Sequence, residues 1–188
     1  IDNERKPWKD DGRILSDPGH SLEFVGLATK FLLELERRSA TSDTELDILE
    51  RCRREFPEIF IRNLANGFNP EVGGICKAFD LISRRPINSD MPWWNLPETL
   101  RAGAELLLFC PEMDCRSEIL RGIRDCSNGF FRSFVNPKVH LMAYQTIDRG
   151  GRPVDVVPAT PDADPGYHTG LSIIDFLECM KKLPVSTA

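Results

Sequence analysis

Ser16-Asp17-Pro18-Gly19-His20-Ser21-Leu22-Glu23-Phe24 opens a segment that remains rich in apolar residues to about Glu36. Pro18 and Gly19 predict a turn, and Ser16 or Asp17 is suited to cap the helix that follows it. Apolar residues then recur with a helical period, at Leu22, Val25, Leu27, Phe31, Leu32 and Leu35. We therefore predict a buried helix over about residues 21–38, with His20 and Glu23 in its first turn.

His20 and Glu23 lie three positions apart, which on a helix is about 60° around the axis. The imidazole and the carboxylate then share one face and can share a hydrogen bond or a ligand. An acid beside a histidine fixes its tautomer, and the N-terminus of a helix offers free N–H groups to an anionic oxygen. The alternative interpretation is structural, with His20 capping the helix and Glu23 complementing its dipole.

Length, composition and charge exclude several classes of protein. The chain has 188 residues, 41% of them hydrophobic, which is enough for the core of one ordinary domain or a piece of a larger one. The net charge is −5, and Lys and Arg are scattered among Asp and Glu, which argues against a nucleic-acid partner. The longest apolar runs, such as residues 102–110, fall short of the roughly 20 needed to span a bilayer, and residues 1–4 do not resemble a signal peptide. We expect no membrane span.

The six cysteines form no CxxC pair and have no histidine at zinc spacing, so we predict no metal site. Cys110 and Cys179 end apolar helical runs, where a reduced thiol behaves as a small hydrophobe. This usage favours a reducing, cytoplasmic setting, with disulfides as the alternative.

Four more helices and two hairpins are predicted along the chain. The helices cover about 44–64, 97–109, 114–134 and 166–183, and Pro57 is expected to kink the first of these or divide it in two. In the helix over 114–134 the predicted inward residues are Ile119, Leu120, Ile123, Phe130 and Phe131. One hairpin is predicted around residues 73–86, and a second joins 139–148 to 154–157. His140 falls in this second hairpin, where we interpret it as structural.

Aromatic and acidic side chains also gather where the third helix begins. Trp93 and Trp94 precede that helix, and Glu98 follows Trp94 by four residues, so two indoles and a carboxylate meet at one helix end. Such tryptophans either stack on the apolar face of a sugar or seal a core. Tyr167 and His168 stand in the same way at the start of the last helix.

The chain thus repeats a cycle in which an apolar inner helix, started by a Pro or Gly turn and a polar or aromatic cluster, precedes an amphipathic outer helix. Repeats of this kind build α/α toroids, whose inner helices line a central funnel. We predict an all-α fold, about half of an (α/α)6 barrel with short β-hairpins between helix pairs, in a single domain over 1–188. The three clusters would then face one cavity from the same end.

These motifs carry a family resemblance. Taken in order, residues 18–23, the Gly73-Gly74 hairpin, the segment from Pro92 to Glu98, and Tyr167-His168 resemble the N-acylglucosamine 2-epimerase family, which includes mannose isomerases and cellobiose 2-epimerases. The resemblance spans about residues 8–183 but covers only the C-terminal half of the family's barrel. It implies a sugar substrate and no metal or nicotinamide cofactor.

The resemblance also implies roles for individual residues. His20 and His168 would be the general acid/base pair that moves the proton at C2 of an opened aldose. Glu23 would orient His20, and Glu98 would hold sugar hydroxyls or the ring oxygen. Trp93 or Trp94 would stack on the sugar, and Tyr167 would shape the pocket. The product would be the epimer, or the ketose if the proton moves to C1.

The sequence departs from the family pattern after the Tyr-His pair, where Leu171 or a neighbour replaces an arginine. A further catalytic arginine normally comes from the N-terminal half, so we expect that half, a second chain or a homodimer partner to complete the molecule. Two other functions stay open: a glycoside hydrolase or lyase using Glu23 and Glu98, and a non-catalytic module that binds a sugar or a protein.

Overall fold

Five α-helices contain about half of the residues that the structure describes. We describe a computed structural model that covers residues 4, 6–38, 42–135, 138, 143–154 and 167–184. The helices are α1 (Pro18–Arg37), α2 (Asp43–Gly67), α3 (Asn95–Phe109), α4 (Arg116–Gly129) and α5 (Ser172–Lys182). A π-helical turn, Phe130–Phe134, extends α4, and a second one, Tyr167–Leu171, leads into α5.

Among the described residues, seven short strands accompany the helices. They are β1 (Leu15–Ser16), β2 (Phe68–Asn69), β3 (Gly74–Ile75), β4 (Ala78–Asp80), β5 (Arg85–Asn88), β6 (Met91–Pro92) and β7 (Thr146–Ile147). All pairings are antiparallel: β4 lies between β1 and β5, β2 pairs with β3, and β6 pairs with β7. The β6–β7 pair connects the segment before α3 to the second predicted hairpin. That hairpin closes through the Ile147–Pro153 bridge, and its predicted residues 139–142 and 155–157, with His140, lie outside the described residues.

The centre of the fold is α3. All its residues except Leu108 are buried, and it packs against α1, α4 and α5. Helix α2 packs on α1 and α4. The pattern is that of an (α/α) barrel segment in which α1, α3 and α5 are inner helices and α2 and α4 are outer helices, as predicted.

Helix α1 begins at Pro18, directly after its capping residue Asp17, so Pro18 and Gly19 are the first residues of the helix and not the turn predicted before it. Asp17 is in the extended conformation, and its side chain accepts a hydrogen bond from the backbone N–H of His20. Leu22, Val25 and Leu32 are buried against α3, as the helical period requires. Leu27 and Phe31 were predicted in the same buried stripe, but they are exposed.

Helix α2 is a single helix of 25 residues, so the predicted division at Pro57 is wrong. Proline has no N–H, which leaves the carbonyl of Arg53 without its helical partner. The Sγ of Cys110 lies 3.6 Å from this oxygen and supplies a weak donor from the end of α3. The N-cap of α2 is Ser42, which makes the reciprocal Ser42–Glu45 hydrogen bonds of a capping box.

The outer helix α4 buries Ile119 and Ile123, and the π-helical turn that follows it buries Phe130, as predicted. Leu120 and Phe131 were also predicted inward, and this is wrong: they are 40% and 67% exposed. The π-helical turn changes the angular step after Gly129, so it is Phe134 that reaches the core beside Phe130.

The cysteines are free thiols in the structure, and four of them, Cys76, Cys110, Cys126 and Cys179, are buried. Burial raises the pKa of Cys76 and Cys110 to about 11, so these thiols are protonated at neutral pH. They pack as small hydrophobes, in agreement with the sequence interpretation. Within the described ranges, every helix is too short or too polar to cross a membrane.

Candidate active site

His20 is held at the N-terminus of α1 by the residue that caps the helix. Its ring Nδ1 lies 2.7 Å from Asp17 Oδ2, and Lys77 Nζ lies 3.1 Å from the same oxygen. Burial alone would raise the pKa of Asp17, but hydrogen bonds from the His20 ring, the His20 amide and Lys77 lower it overall. Asp17 is therefore ionised at neutral pH, and the His20 ring donates from Nδ1 and presents Nε2.

The partner of His20 was predicted wrongly. The sequence suggested that Glu23 orients His20, because the two lie one helical turn apart. The hydrogen bond to the ring comes instead from Asp17, three residues before it. Glu23 joins a different group, and its carboxylate comes within 4.8 Å of Glu98 and His168.

A close approach between helices brings the start of α1 to the start of α3. Gly19 is buried, and a Cβ at this position would lie 2.0 Å from Asn95 Oδ1. The Asn95 side chain occupies this space and donates from Nδ2 to the carbonyl of Ile75 at 3.1 Å. Since only glycine leaves this room, Pro18-Gly19 sets His20 beside the residues that begin α3.

Glu98 lies in the interior of the protein, with none of its surface exposed. Its Oε1 accepts hydrogen bonds from His168 Nδ1 and Ser172 Oγ, both at 2.9 Å, and its Oε2 pairs with Arg101. Burial raises the pKa of Glu98, while His168, Arg101 and Ser172 oppose this effect. The prediction that Glu98 binds sugar hydroxyls is not supported, because its oxygens face protein donors.

His168 lies in the π-helical turn before α5, and its side chain is 29% exposed. Single π-helical turns are common at functional sites because the extra residue re-aims a side chain. Tyr167 packs edge-on against the His168 ring, with 4.8 Å between ring centroids, and is itself 45% exposed. This position fits the predicted role of Tyr167 beside His168.

Trp94 links the two histidines. Its ring centroid is 4.8 Å from that of His20 and 5.1 Å from that of His168. The two imidazoles are thus no farther apart than the sum of these distances, although they come from opposite ends of the chain. Lys77 Nζ also lies over the Trp94 ring, 5.5 Å from its centroid.

Trp93 differs from Trp94 in burial. It is 3% exposed, and its Nε1 donates to Gln145 Oε1 at 3.1 Å. Its edge contacts the His168 ring at 6.2 Å between centroids. Trp93 is thus a core residue that supports His168 and is too buried to stack on a sugar, whereas Trp94 is only half buried.

One group among the described residues has the spacing to hold a metal ion, namely Glu23, Glu98 and His168. Both oxygens of Glu98 already accept hydrogen bonds, and the guanidinium of Arg101 supplies the positive charge beside them. This donor set favours a hydrogen-bonded proton-transfer group over a metal centre.

Four charged or polar residues of this region were missed as site residues. Asp17 was recognised only as a cap, and Lys77 gave no signal. Arg101 follows Glu98 by three residues and Ser172 follows His168 by four, so helical spacing alone places each on the face of its neighbour. That spacing was the signal that could have found them.

Two open cavities lie near the surface. One, of about 470 Å³, adjoins His20 between β1, α1 and α2, and Asp17, Phe24 and Ile59 line it. His168 does not line this cavity. The other, of about 400 Å³, lies between the outer helices α2 and α4 and touches none of the site residues described in this section.

Comparison with known sequences gives no relatives: no protein-family model matches the chain, and no curated protein matches it. Comparison of the structure does give similar folds. A D-mannose isomerase superposes with a TM-score of 0.67 and 16% sequence identity, over 87% of this chain and 37% of that one. A sugar epimerase from a ruminal bacterium gives a TM-score of 0.67 and 13% identity, over 98% of this chain and 42% of that one.

A cellobiose 2-epimerase from Bacillus thermoamylovorans B4167 gives a TM-score of 0.64 and 15% identity, over 87% of this chain and 37% of that one. The chain therefore spans about two fifths of the length of these structures. At this level of identity the likeness concerns the fold. The chain is folded as part of an (α/α)6 barrel, in agreement with the predicted fold class.

Proposed function

We propose that the protein acts on a sugar as a 2-epimerase or an aldose–ketose isomerase, with His20 and His168 as general acid and base. One observation carries this proposal. Two imidazoles, each hydrogen-bonded through Nδ1 to its own carboxylate, contact the same indole at the starts of two inner helices. The similarity of the fold to sugar isomerases and epimerases supports the same chemistry.

The chemistry starts from an open-chain aldose, whose C2–H is acidified by the neighbouring C1 carbonyl. One imidazole takes the C2 proton through Nε2, and the electron pair moves into an enediolate with negative charge on O1. Returning a proton to the opposite face of C2 from the other imidazole gives the epimer. Returning it to C1, with transfer of the O2 proton to O1, gives the ketose. General acid–base catalysis of this kind contributes about 10²- to 10⁴-fold in rate.

Several neighbours fit supporting roles in this reaction. Trp94 presents a half-buried indole on which the apolar face of a sugar can stack, and the partly exposed Tyr167 borders the same place. Lys77 is a cation next to Asp17 and Trp94, and a positive charge there would stabilise the developing enediolate. Glu23, close to Glu98 and His168, is suited to accept a hydrogen bond from a sugar hydroxyl.

We further propose that the rest of a barrel wall comes from outside these 188 residues, either from an N-terminal half or from a second chain, including a homodimer partner. The chain spans about two fifths of the similar structures, and both outlying inner helices expose apolar side chains. A single domain over 1–188 stays a prediction. A cytoplasmic location also stays a prediction, and the six free thiols fit it.

The two alternatives receive less support from the geometry. A glycoside hydrolase using Glu23 and Glu98 needs an acid that reaches the glycosidic oxygen. Glu98 is buried and its oxygens are occupied by three donors. A non-catalytic sugar-binding module would not need a carboxylate partner on each imidazole.

The test is exchange of the C2 proton with solvent. We would incubate the chain with mannose, glucose, N-acetylmannosamine and cellobiose in deuterated buffer and follow loss of the C2 signal by NMR. His20→Asn and His168→Asn should each lower the exchange rate by about 10² or more. His140→Asn, at the third histidine, is the matched control and should leave the rate unchanged.

Three results would count against the proposal. Exchange that persists in both histidine variants would exclude acid–base catalysis by these rings. Sugar binding measured by calorimetry without exchange of any aldose would favour the non-catalytic module. Release of reducing ends from a disaccharide, unaffected by His168→Asn, would favour the hydrolase.

A further inference from the structure

Glu98 connects His168 to a line of charged side chains that no step of the proposed reaction uses. The carboxylate of Glu98 accepts from His168 and Ser172 on one oxygen and pairs with Arg101 on the other. Arg101 is 2% exposed, so the pair is removed from water on both sides. The position of the His168 ring therefore depends on how Glu98 is held.

The line continues away from Glu98. Arg101 Nη1 lies 3.9 Å from Asp175 Oδ2, and the other oxygen of Asp175 lies 2.6 Å from Lys30 Nζ on α1. Positive and negative groups thus alternate from Lys30 through Asp175 and Arg101 to Glu98. Three inner helices, α1, α3 and α5, each contribute to this line, which ends at the imidazole.

Other titratable groups face the same region. The Glu23 carboxylate on α1 approaches Glu98 and acts on it as a like charge. Glu105, one helical turn beyond Arg101 on α3, is buried and faces Asp175, Cys179, Lys30 and Lys182. Glu23 thus opposes the ionisation of Glu98, and Arg101 is the cation that lies between the carboxylates of Glu98 and Asp175.

The charge on Glu98 decides what the ring of His168 can do. An ionised carboxylate accepts only, so Nδ1 must carry the proton and Nε2 is left to exchange protons with a substrate. A protonated Glu98 would instead offer an O–H to the ring and make Nδ1 the acceptor. Burial raises the pKa of Glu98 and so favours the protonated carboxyl, and the contacts with His168, Arg101 and Ser172 oppose this rise without cancelling it.

We propose that Arg101 and Ser172 are positioning residues that hold Glu98 ionised and aimed at Nδ1 of His168, and that Asp175 holds Arg101 in this arrangement. The inference rests on the proposed function for its kinetic consequence, but its structural consequence is independent of any substrate. Ser172 fixes the direction of Oε1, and Arg101 compensates its charge.

The substrate-independent test observes the ring nitrogens of His168 by long-range ¹H–¹⁵N NMR, assigned with His→Asn variants of the three histidines. In the parent chain we expect the Nδ1–H form of the neutral ring. Ser172→Ala should change the tautomer balance of His168 and displace its titration curve, followed over about pH 5 to 8. Asp175→Asn, nearly equal in shape, should act in the same direction with a smaller change.

The matched control is Ser117→Ala. Ser117 also donates from a helix to a glutamate, Glu118 Oε2 at 2.8 Å, but it is exposed on α4. This variant should leave the His168 nitrogens unchanged. His168 shifts and titration that stay the same in both Ser172→Ala and Asp175→Asn would overturn the proposal.

The kinetic test is a double-mutant cycle on C2 proton exchange. Ser172→Ala should lower kcat about tenfold, the usual size of one hydrogen bond to a charged group, and leave KM nearly unchanged. If Ser172 acts through Glu98, the double variant with Glu98→Gln should be no slower than Glu98→Gln alone. If the rate losses of Ser172→Ala and Glu98→Gln multiply in the double variant, Ser172 acts independently of Glu98, which would overturn the proposal.

The two proposals fail in different ways. If aldose exchange is unchanged by His20→Asn and His168→Asn but the His168 nitrogens respond to Ser172→Ala and not to Ser117→Ala, the proposed reaction fails and the positioning role stands. If exchange requires His168 but the NMR signals of its ring nitrogens change in neither Ser172→Ala nor Asp175→Asn, the positioning role fails and the reaction stands.

Discussion

Asp17 combines two functions at one residue, since its Oδ1 caps α1 and its Oδ2 holds the ring of His20. Asn is about as good an N-cap as Asp, so Asp17→Asn separates the two. We expect the melting temperature to change little, while C2 proton exchange falls roughly tenfold or more because the ring loses a charged acceptor. Thermal melts and exchange by NMR measure the two effects.

The control for this variant is Asp43→Asn, an exposed acid in the first turn of α2. It should alter neither exchange nor, by more than a few tenths of a kcal/mol, stability. Exchange in Asp17→Asn equal to that of the parent would contradict a role of Asp17 in the reaction.

At the residue scale, the sequence predicted which side chains gather but not how they pair. His20, Trp94, Tyr167 and His168 meet because each stands at the start of an inner helix or in the turn before it. Which carboxylate reaches which imidazole depends on side-chain orientations and on distances of a few ångströms. The acid that binds the His20 ring is therefore Asp17 and not the predicted Glu23. Trp93 is buried, and the burial of a side chain depends on the whole tertiary structure, which local sequence patterns do not determine.

At the scale of secondary-structure elements, the carboxylate of Asp80 connects two segments of the β1–β4–β5 sheet. Asp80 accepts hydrogen bonds from the amides of Ile14, Ile82 and Ser83, tying β1 to the turn after β4. The hydrogen bond with the Ser83 side chain and these amides lower the pKa of Asp80 from 3.8 to about 2. This carboxylate is therefore ionised throughout the neutral range.

A group whose pKa is lower in the folded state stabilises the fold above its unfolded pKa and loses this effect as pH falls through the folded one. We expect Asp80→Asn to be less stable than the parent at pH 7, and the difference to shrink as pH falls from about 4 to about 2. Urea unfolding at several pH values measures this. A deficit that does not depend on pH would show that the charge of Asp80 contributes nothing.

The elements themselves were well predicted where the helical period and the caps agree. The Ser42 capping box and the Asp17 cap fixed two helix starts, because both use local side-chain to backbone bonds. Pro57 does not divide α2, because a helix tolerates the lost hydrogen bond when packing holds both halves and another donor reaches the freed carbonyl. The π-helical turn after Gly129 has no simple sequence signal. Because of it, Phe134 is buried in the core, whereas Phe131, which was predicted there, is exposed.

At the scale of the whole molecule, the two outlying inner helices carry apolar stripes that the described structure leaves largely exposed. On α1 the stripe is Phe24, Leu27 and Phe31, between 40% and 66% exposed. Around the start of α5 it is Leu171, Ile174 and Leu177, between 49% and 52% exposed. Spacings of three and four residues place each set on one helix face. Isolated exposed apolar residues are ordinary, but two aligned stripes on inner helices indicate surfaces that pack against other helices.

These stripes predict the behaviour of the 188-residue chain on its own. Burying a large apolar side chain contributes about 1.5–3 kcal/mol, so six of them favour self-association when no other helices are present. We expect dimers or larger species by light scattering, and a monomer of equal helix content for the double variant Phe31→Glu and Ile174→Glu. Leu120→Glu, an exposed leucine on the outer helix α4, should leave the association state unchanged. A parent chain that stays monomeric at high concentration would show that the stripes do not drive association. Association that persists in the double variant would show that another surface forms the contact.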